Sequence, residues 1–391
     1  MLNLTTAAYF FLATGILTSV TLIGLHQILL FVPLSYYLYK SFSEKRNLFS
    51  LSSILLTAFI ICCLISLAVN LDDIKDLSKS IGKLKFIFLS LGGISTLYYW
   101  LPRVKPSHLK VIIHSFFCSI IASGGIAIYQ VAMTGERSRG FIGVMRYGYV
   151  SAMILTLLFA ILIQRKNLKF DFNFKLGMTA LLFCFVGLFL TQTRGAMAGF
   201  MSALPFVLYF YKPKWGIVFG IISTVLISIV ATAYLFGSST ENKFGSRFLK
   251  SKNETGDLVR REQWQSAIIA TKEHPLFGWG YGNFYTQVGR IKKENNMQTA
   301  FYSDAHAHNT FLEVAAGTGL IGFSVFLLWL ITWAYECFKL ENSLRGIFVP
   351  FGVCMIISCQ FEVIFDSSNM ALFFAAYTLS QVARLLMSKT A

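Results

Sequence analysis

The chain has 391 residues, of which 55% are apolar and only 13% are charged, and its mean hydropathy is +0.62. Soluble domains carry about a quarter charged residues, so this composition excludes an ordinary soluble enzyme. Apolar runs of about 20 residues recur along the chain, the length at which a helix crosses a hydrocarbon core of roughly 30 Å. Membrane barrels instead show short alternating segments. We therefore predict an all-α, polytopic integral membrane protein.

The net charge of +16 comes from 34 basic against 18 acidic residues. The basic residues are scattered among loops between apolar runs, so membrane topology and lipid headgroups explain them, and we predict no nucleic-acid partner. The seven cysteines all lie within apolar runs or at their ends, which predicts neither a disulfide framework nor a metal-binding pair. Because the N-terminal apolar run lacks a basic stretch before it, we expect it to be a retained first span.

Apolar runs separated by basic loops predict about twelve transmembrane helices. Their predicted positions are 3–20, 22–39, 49–69, 84–101, 111–132, 145–163, 176–192, 195–211, 216–236, 309–335, 347–365 and 370–387. The first pair could instead form one long span with a re-entrant piece.

Basic side chains recur on alternate connections, and therefore on one side of the predicted membrane. They are Lys40, Lys45, Arg46, Arg103, Lys105, Lys110, Arg165, Lys166, Lys169, Lys175, Lys212, Lys214, Lys339, Arg345, Arg384 and Lys389. The positive-inside rule makes that side cytoplasmic and puts both termini there. The predicted organisation is residues 1–236 with helices 1–9, a large periplasmic loop at 237–308, and residues 309–391 with helices 10–12.

The large loop is predicted to contain a helix over LVRREQWQSAIIATKE. Asp257 precedes it as a candidate cap, and the helix should end before His274, because a proline follows and the residue before proline avoids the helical conformation. Helical spacing puts Arg260, Trp264 and Ala267 on one face. The next stretch, PLFGWGYGNF, has glycines at alternate positions, which predicts tight backbone turns.

Arginines gather on the predicted outer side. Arg194 lies between two apolar runs with almost no loop around it, so it either snorkels to the interface or is an anion-binding group at membrane depth. Arg260 and Arg261 on the loop helix are either solvated or bidentate donors suited to a diphosphate. The segment MTGERSRGFIGVMRYG adds three more, Arg137, Arg139 and Arg146. A face of this kind, next to lipid, predicts a lipid-linked anionic substrate.

A polar cluster, YSDAHAHN, stands immediately before the tenth span. An extended chain would put Asp304, His306 and His308 on one face, an arrangement that suits a metal, but a polar approach to a helix capped by Asn309 is the favoured interpretation. We predict no metal and no other cofactor. His308 is the candidate general base because histidine titrates close to neutral pH, while His306 is expected to point away. Glu313 either orients the site or makes a packing contact.

The TRGA turn, the segment RREQW…HPLFGWGYGNF and HNTFLEVAAGTGLIG, in this order around one long loop, resemble the O-antigen ligase and polymerase superfamily over roughly residues 130–330. The resemblance implies a GT-C-like glycosyltransferase at the periplasmic face of the bacterial inner membrane. Such an enzyme moves an O-antigen glycan from undecaprenyl diphosphate to a sugar hydroxyl of lipid A-core, without a metal or a nucleotide sugar.

The resemblance also implies roles for individual residues. Arg194 and Arg260 match arginines that hold the donor diphosphate, and His308 matches the histidine of a His-Asn-x-x-Leu pattern. Further contacts with substrate are expected from six residues of the same side, namely Arg261, Arg137, Arg139, Arg146, Asn309 and Trp264.

Three other activities compete with the ligase. An O-antigen polymerase uses the same donor but extends a second lipid-linked repeat; the single large loop favours the ligase. A protein O-glycosyltransferase of the superfamily usually has a longer chain. A transporter or flippase predicts discontinuous helices or ionisable residues near the bilayer midplane, and this sequence has few of the latter.

Overall fold

The computed structural model describes residues 1–46, 48–168, 172–221, 255–299, 306–363 and 367–387. Within these ranges the regular structure is entirely helical, which confirms the all-α prediction. The helices are α1 (Leu2–Gly15), α2 (Val20–Ser43), α3 (Leu51–Val69), α4 (Leu77–Trp100), α5 (Pro106–Thr134), α6 (Val144–Gln164), α7 (Phe174–Thr191), α8 (Arg194–Tyr211), α9 (Thr255–Glu273), α10 (Val288–Glu294), α11 (Thr310–Phe338), α12 (Asn342–Cys359) and α13 (Ser367–Met387).

Nine helices in the described part of the chain are long and apolar enough to cross a membrane, so the protein is a multi-pass membrane protein. Two more helices occupy predicted spans without meeting both criteria: α1 has only 14 residues, and α8 begins with Arg194. The first two predicted spans are separate helices rather than one long one. The ninth predicted span, 216–236, lies mostly outside the described residues.

Two of the boundaries that differ from the prediction concern the loop helix and the twelfth helix. The loop helix α9 does end before His274, but it begins at Thr255, so Asp257 lies inside the helix and does not cap it. Local pattern does not fix the first residue of a helix, so a capping residue type can fall inside the first turn. The predicted span 347–365 ends early, because α12 stops at Cys359 and the chain then turns.

Hydrogen bonds sort the connections into two opposite faces. On one face, called the site face below, Asn70 after α3 donates to the Gly278 carbonyl. On the other face, Glu336 near the end of α11 accepts from Ser52 Oγ at 2.6 Å and from Gln381 at 2.8 Å. The end of α3 therefore meets the glycine-rich loop on the site face, and the start of α3 meets the end of α11 on the opposite face.

The long helix α11 is broken within its apolar segment at Gly319, whose φ is 67° and ψ is −174°. The PLFGWG loop fills the break: the Leu320 amide donates to the Pro275 carbonyl at 2.8 Å, and the Trp279 amide to the Ala316 carbonyl at 2.9 Å. Backbone groups freed at membrane depth must find partners within the protein. Since loop backbone supplies them here, the discontinuity does not by itself indicate a transport site.

The contact between the loop and the break depends on two glycines. A Cβ at Gly278 would lie 2.5 Å from the Gly317 carbonyl carbon, and one at Gly319 would lie 2.3 Å from the Leu276 carbonyl oxygen. We expect Gly319→Ala to destabilise the protein by about 1–3 kcal/mol, because its backbone conformation belongs almost only to glycine. The thermal unfolding temperature in detergent measures this.

Gly82→Ala is the matched control. Gly82 lies in α4, and a Cβ added there would have no neighbouring atom within 4 Å, so alanine should be neutral or slightly stabilising. Equal unfolding temperatures for Gly319→Ala and Gly82→Ala would show that the docked loop does not hold the break.

Candidate functional site

His308 lies on the site face, directly before the cap of α11. Its backbone is in the left-handed region, with φ 48°, which is costly for a residue other than glycine and is common at functional sites. Its Nδ1 atom is 3.0 Å from Glu362 Oε1. The Thr310 hydroxyl donates to the Glu362 carbonyl at 2.8 Å, so the start of α11 and the turn after α12 are joined at this point.

Asn309 caps α11 as predicted. Its Oδ1 accepts from the Phe311 amide at 3.0 Å and from the Leu312 amide at 3.1 Å. Its Nδ2 faces the carbonyl and the side-chain oxygen of Gln360 at 3.3 and 3.4 Å. This side chain therefore braces the same turn that carries Glu362. Its expected contact with substrate stays a prediction.

Glu362 is the functional candidate that sequence reasoning missed. The residue is 9% exposed. Its Oε1 also accepts from the Val363 amide at 3.1 Å, and its Oε2 is buried with no hydrogen-bond partner among the described residues. A signal was available, since Glu362 falls inside the predicted span 347–365 and an ionisable residue within a span is a functional hypothesis by default.

Tyr149 of α6 is only 1% exposed, and several charged side chains act on it electrostatically. Glu362, Arg260 and Arg137 are among the side chains whose charges act on it. A Cβ at Gly195 would lie 2.4 Å from the Tyr149 hydroxyl and 2.5 Å from Phe361 Cβ. The glycine of TRGA thus allows the first turn of α8, which begins at Arg194, to approach the turn that carries Glu362.

The remaining arginines have different surroundings. Arg137 is half-buried and its Nε donates to the Thr191 carbonyl at 2.7 Å, which braces the turn before Arg194. Arg146 is half-buried in the first turn of α6. Arg139 is 69% exposed and pairs with Glu136 at 3.4 Å; exposed pairs of this kind contribute about 0–1 kcal/mol.

The two adjacent arginines of α9 differ in burial. Arg260 is half-buried and Arg261 is exposed, so Arg260 is the one that faces the protein. The predicted shared face is present: Ala267 is fully buried, and Trp264 is half-buried. The Trp264 indole nitrogen is buried without a hydrogen-bond partner in the described part of the chain.

Buried hydrogen bonds tie α9 to the segment that follows α10. Glu262, 5% exposed, accepts from the Gln298 and Thr299 amides at 2.9 Å each. Lys292, fully buried, donates to the Thr299 hydroxyl at 2.9 Å. Burial raises the pKa of Glu262, but these hydrogen bonds and the Lys292 charge outweigh it and lower that pKa overall. These contacts fix α9, and with it Arg260, to Gln298 and Thr299.

The two histidines engage different glutamates. His306 Nδ1 is 3.4 Å from Glu313 Oε1, and the other oxygen of Glu313 accepts from the Ala307 amide at 2.9 Å. Glu313 therefore holds the approach to the helix, and His306 does not point away as expected. Asp304 lies outside the described residues. Within those residues, no group of three or more His, Cys, Asp or Glu side chains is placed to hold a metal.

The fold and this geometry define a multi-pass helical membrane protein with a cluster of polar and arginine side chains on one face of its helices. Residues 179–327 match the family described as O-Antigen ligase. That segment includes Arg194, Arg260 and His308 but not Glu362. The match confirms the resemblance of the chain to the O-antigen ligase and polymerase superfamily.

Two relatives show how far the similarity extends. The chain is 25% identical over 329 residues to an uncharacterized protein of Haemophilus influenzae, covering 80% of this chain and 77% of that protein. It is 31% identical over 116 residues to the exopolysaccharide production protein ExoQ of Rhizobium meliloti, covering 29% of this chain and 25% of that protein. The second similarity is thus confined to a part of each chain.

Proposed function

We propose that the protein transfers an O-antigen glycan from undecaprenyl diphosphate to a sugar hydroxyl of lipid A-core, in lipopolysaccharide biosynthesis at the bacterial inner membrane. The observation that carries the proposal is the His308–Glu362 pair, whose glutamate acts on Tyr149 together with the charges of Arg260 and Arg137, next to the glycine of the TRGA turn. A base next to guanidinium groups is what transfer from a lipid diphosphate requires. The family match supports this type of chemistry.

In the proposed reaction, the arginines stabilise the negative charge of the diphosphate. A polyprenyl diphosphate is a good leaving group whose negative charge increases as the glycosidic bond breaks, and preorganised donors stabilise that charge. Guanidinium forks bind phosphate oxygens in pairs. Arg260 and Arg194 fill this role, and the start of α8 adds backbone amides, since no side chain caps it and helix N-termini favour anions.

In the proposed reaction, His308 accepts the proton of the acceptor hydroxyl. An ionised carboxylate can only accept a hydrogen bond, so Glu362 holds the imidazole proton on Nδ1 and leaves the Nε2 lone pair for substrate. The acceptor hydroxyl gives its proton to Nε2 as its oxygen bonds to the anomeric carbon. The bond from that carbon to the diphosphate oxygen breaks, and undecaprenyl diphosphate leaves. No metal enters this scheme.

A second candidate is an O-antigen polymerase, which uses the same donor; the partial similarity to an exopolysaccharide production protein is consistent with polysaccharide chemistry of either kind. A deletion strain of the source bacterium, analysed by lipopolysaccharide gel, decides between them. Loss of a ligase leaves complete core without O-antigen, with polymer accumulating on its lipid carrier. Loss of a polymerase leaves core bearing one repeat, and an unchanged gel contradicts both activities.

We also propose that the site face, with the loop of residues 237–308, lies in the periplasm and that both termini are cytoplasmic. Asn295 is exposed on the site face and Lys166 on the opposite one. A membrane-impermeant maleimide applied to intact cells should therefore label Asn295→Cys above the level of the parent chain, and should not label Lys166→Cys. The reverse pattern would invert the topology.

A further inference from the structure

His306 and His308, which flank Ala307, are held in the same way. Each imidazole is held through Nδ1 by a glutamate from a different part of the chain, Glu313 for His306 and Glu362 for His308. The side chains of His306 and His308 are 44% and 31% exposed, while their glutamates are 9% and 12% exposed. Both Nε2 atoms are therefore left for contacts beyond these pairs, although the proposed reaction uses only that of His308.

An aromatic ring borders His306. The Tyr285 ring centroid is 6.1 Å from that of His306 at an interplanar angle of 54°, and Lys83 Nζ is 5.9 Å from the Tyr285 centroid. Lys83 also donates to the Gly282 carbonyl at 3.1 Å, which fixes it against the glycine loop. All three side chains are partly accessible, so the ring and the imidazole together offer an apolar face and a polar group at its edge.

The group formed by Tyr285, Lys83 and His306 lies next to the proposed reaction centre. The charged side chains that act on His306 are Glu313, Lys83 and Glu362, and Glu362 also acts on Tyr149 together with Arg260. Glu362 is thus common to both sets of side chains. The proposed reaction assigns the arginines to the diphosphate, so the group around Tyr285 is available for another part of the reactants.

We propose that Tyr285 and His306 form a sugar-binding subsite, which takes the acceptor ring whose hydroxyl is presented to His308 Nε2. One face of a sugar ring is lined with C–H groups and packs on an aromatic ring, while the hydroxyls of the sugar need directional hydrogen-bond partners. Small-molecule sites typically combine such an apolar contact with a few precisely placed polar groups. The subsite rests on the proposed glycosyl transfer and identifies where the acceptor lies.

Two features favour a neutral ring hydroxyl as the group that His306 binds. The hydrogen bond that His306 donates to Glu313 raises the pKa of His306 although burial lowers it, which favours the imidazolium form with an N–H donor at Nε2. The adjacent carboxylate balances that charge, so the pair attracts no strong anion. A charged donor makes a stronger hydrogen bond to a hydroxyl than a neutral one does.

The test compares Tyr285→Ala with Tyr285→Phe in nanodiscs of zwitterionic lipid. Calorimetry measures binding of two lipid-free probes, the core oligosaccharide and the oligosaccharide of one O-antigen repeat. Tyr285→Ala is expected to weaken binding of at least one probe about 2- to 10-fold through loss of the ring contact, and Tyr285→Phe to retain it. His306→Ala is expected to weaken the same probe about 10- to 100-fold through loss of a charged hydrogen bond.

Tyr335→Ala is the matched control. Tyr335 is 59% exposed near the other end of α11, and it too has a lysine ammonium over its ring, that of Lys339 at 4.3 Å. This variant should bind both probes as the parent does. If His306→Ala fails to fold, the two Tyr285 variants still decide, because a merely structural His306–Glu313 pair predicts no difference between phenylalanine and alanine at residue 285.

The binding assay does not require transfer, so the two proposals fail separately. If the parent protein binds a probe but shows no transfer, and Tyr285→Ala loses that binding, the subsite is supported and the proposed function is contradicted. Transfer with an unchanged acceptor KM and unchanged probe binding in Tyr285→Ala overturns the subsite alone. Binding of neither probe to the parent protein also overturns it.

Discussion

Replacing His308 by alanine is expected to lower turnover by about 10²–10⁴-fold, the usual contribution of a general base. Donor binding should change little, because Arg194 and Arg260 remain in place to hold the diphosphate. The effect is measured as glycan transferred per folded molecule, alongside the affinity for a lipid-linked donor. A role confined to packing would instead reduce the folded yield and leave the rate per molecule unchanged.

Glu362→Gln tests the same assignment without removing the imidazole. An amide in this place can donate to Nδ1, which favours the tautomer with its proton on Nε2 and leaves the wrong nitrogen for the acceptor. We expect turnover to fall by about 10- to 100-fold, as is typical when the partner that orients a functional histidine is lost. Full specific activity in both variants would leave catalysis to orientation and arginine electrostatics alone.

The second large effect is expected at the arginines. Arg260→Ala should raise the donor KM by about 10- to 100-fold, since a hydrogen bond to a charged group contributes about 1.5–3 kcal/mol. Arg261→Ala is the matched control, because Arg261 is the exposed neighbour on the same helix while Arg260 is half-buried. A larger loss in Arg261→Ala would show that the diphosphate approaches the other face of α9.

Arg194→Lys separates charge from geometry. A lysine keeps the positive charge but cannot form the two parallel hydrogen bonds of a guanidinium fork, so much of the activity should be lost. Activity close to that of the parent, in protein that is properly inserted, would favour an interfacial arginine that only reaches toward the headgroups.

Much of this protein could be predicted from consecutive residues. Long apolar runs imply helices because hydrocarbon leaves backbone groups no other partner, and nine spans follow in the described part of the chain. The end of α9 before His274 and the cap at Asn309 also follow from local chemistry, since proline and a capping amide act on their immediate neighbours. The order of the three motifs sufficed to identify the superfamily.

Only the tertiary structure decided which residues meet. Glu362 reaches His308 from 54 positions away, and the PLFGWG loop fills the break at Gly319, because helix packing, not local pattern, brings these segments together. The sequence placed His306 as a bystander, whereas the fold sets it against Glu313, seven residues on across the helix cap. Which of Arg260 and Arg261 faces inward is likewise a matter of burial, since adjacent residues on a helix have equal propensity and differ only in what packs against them.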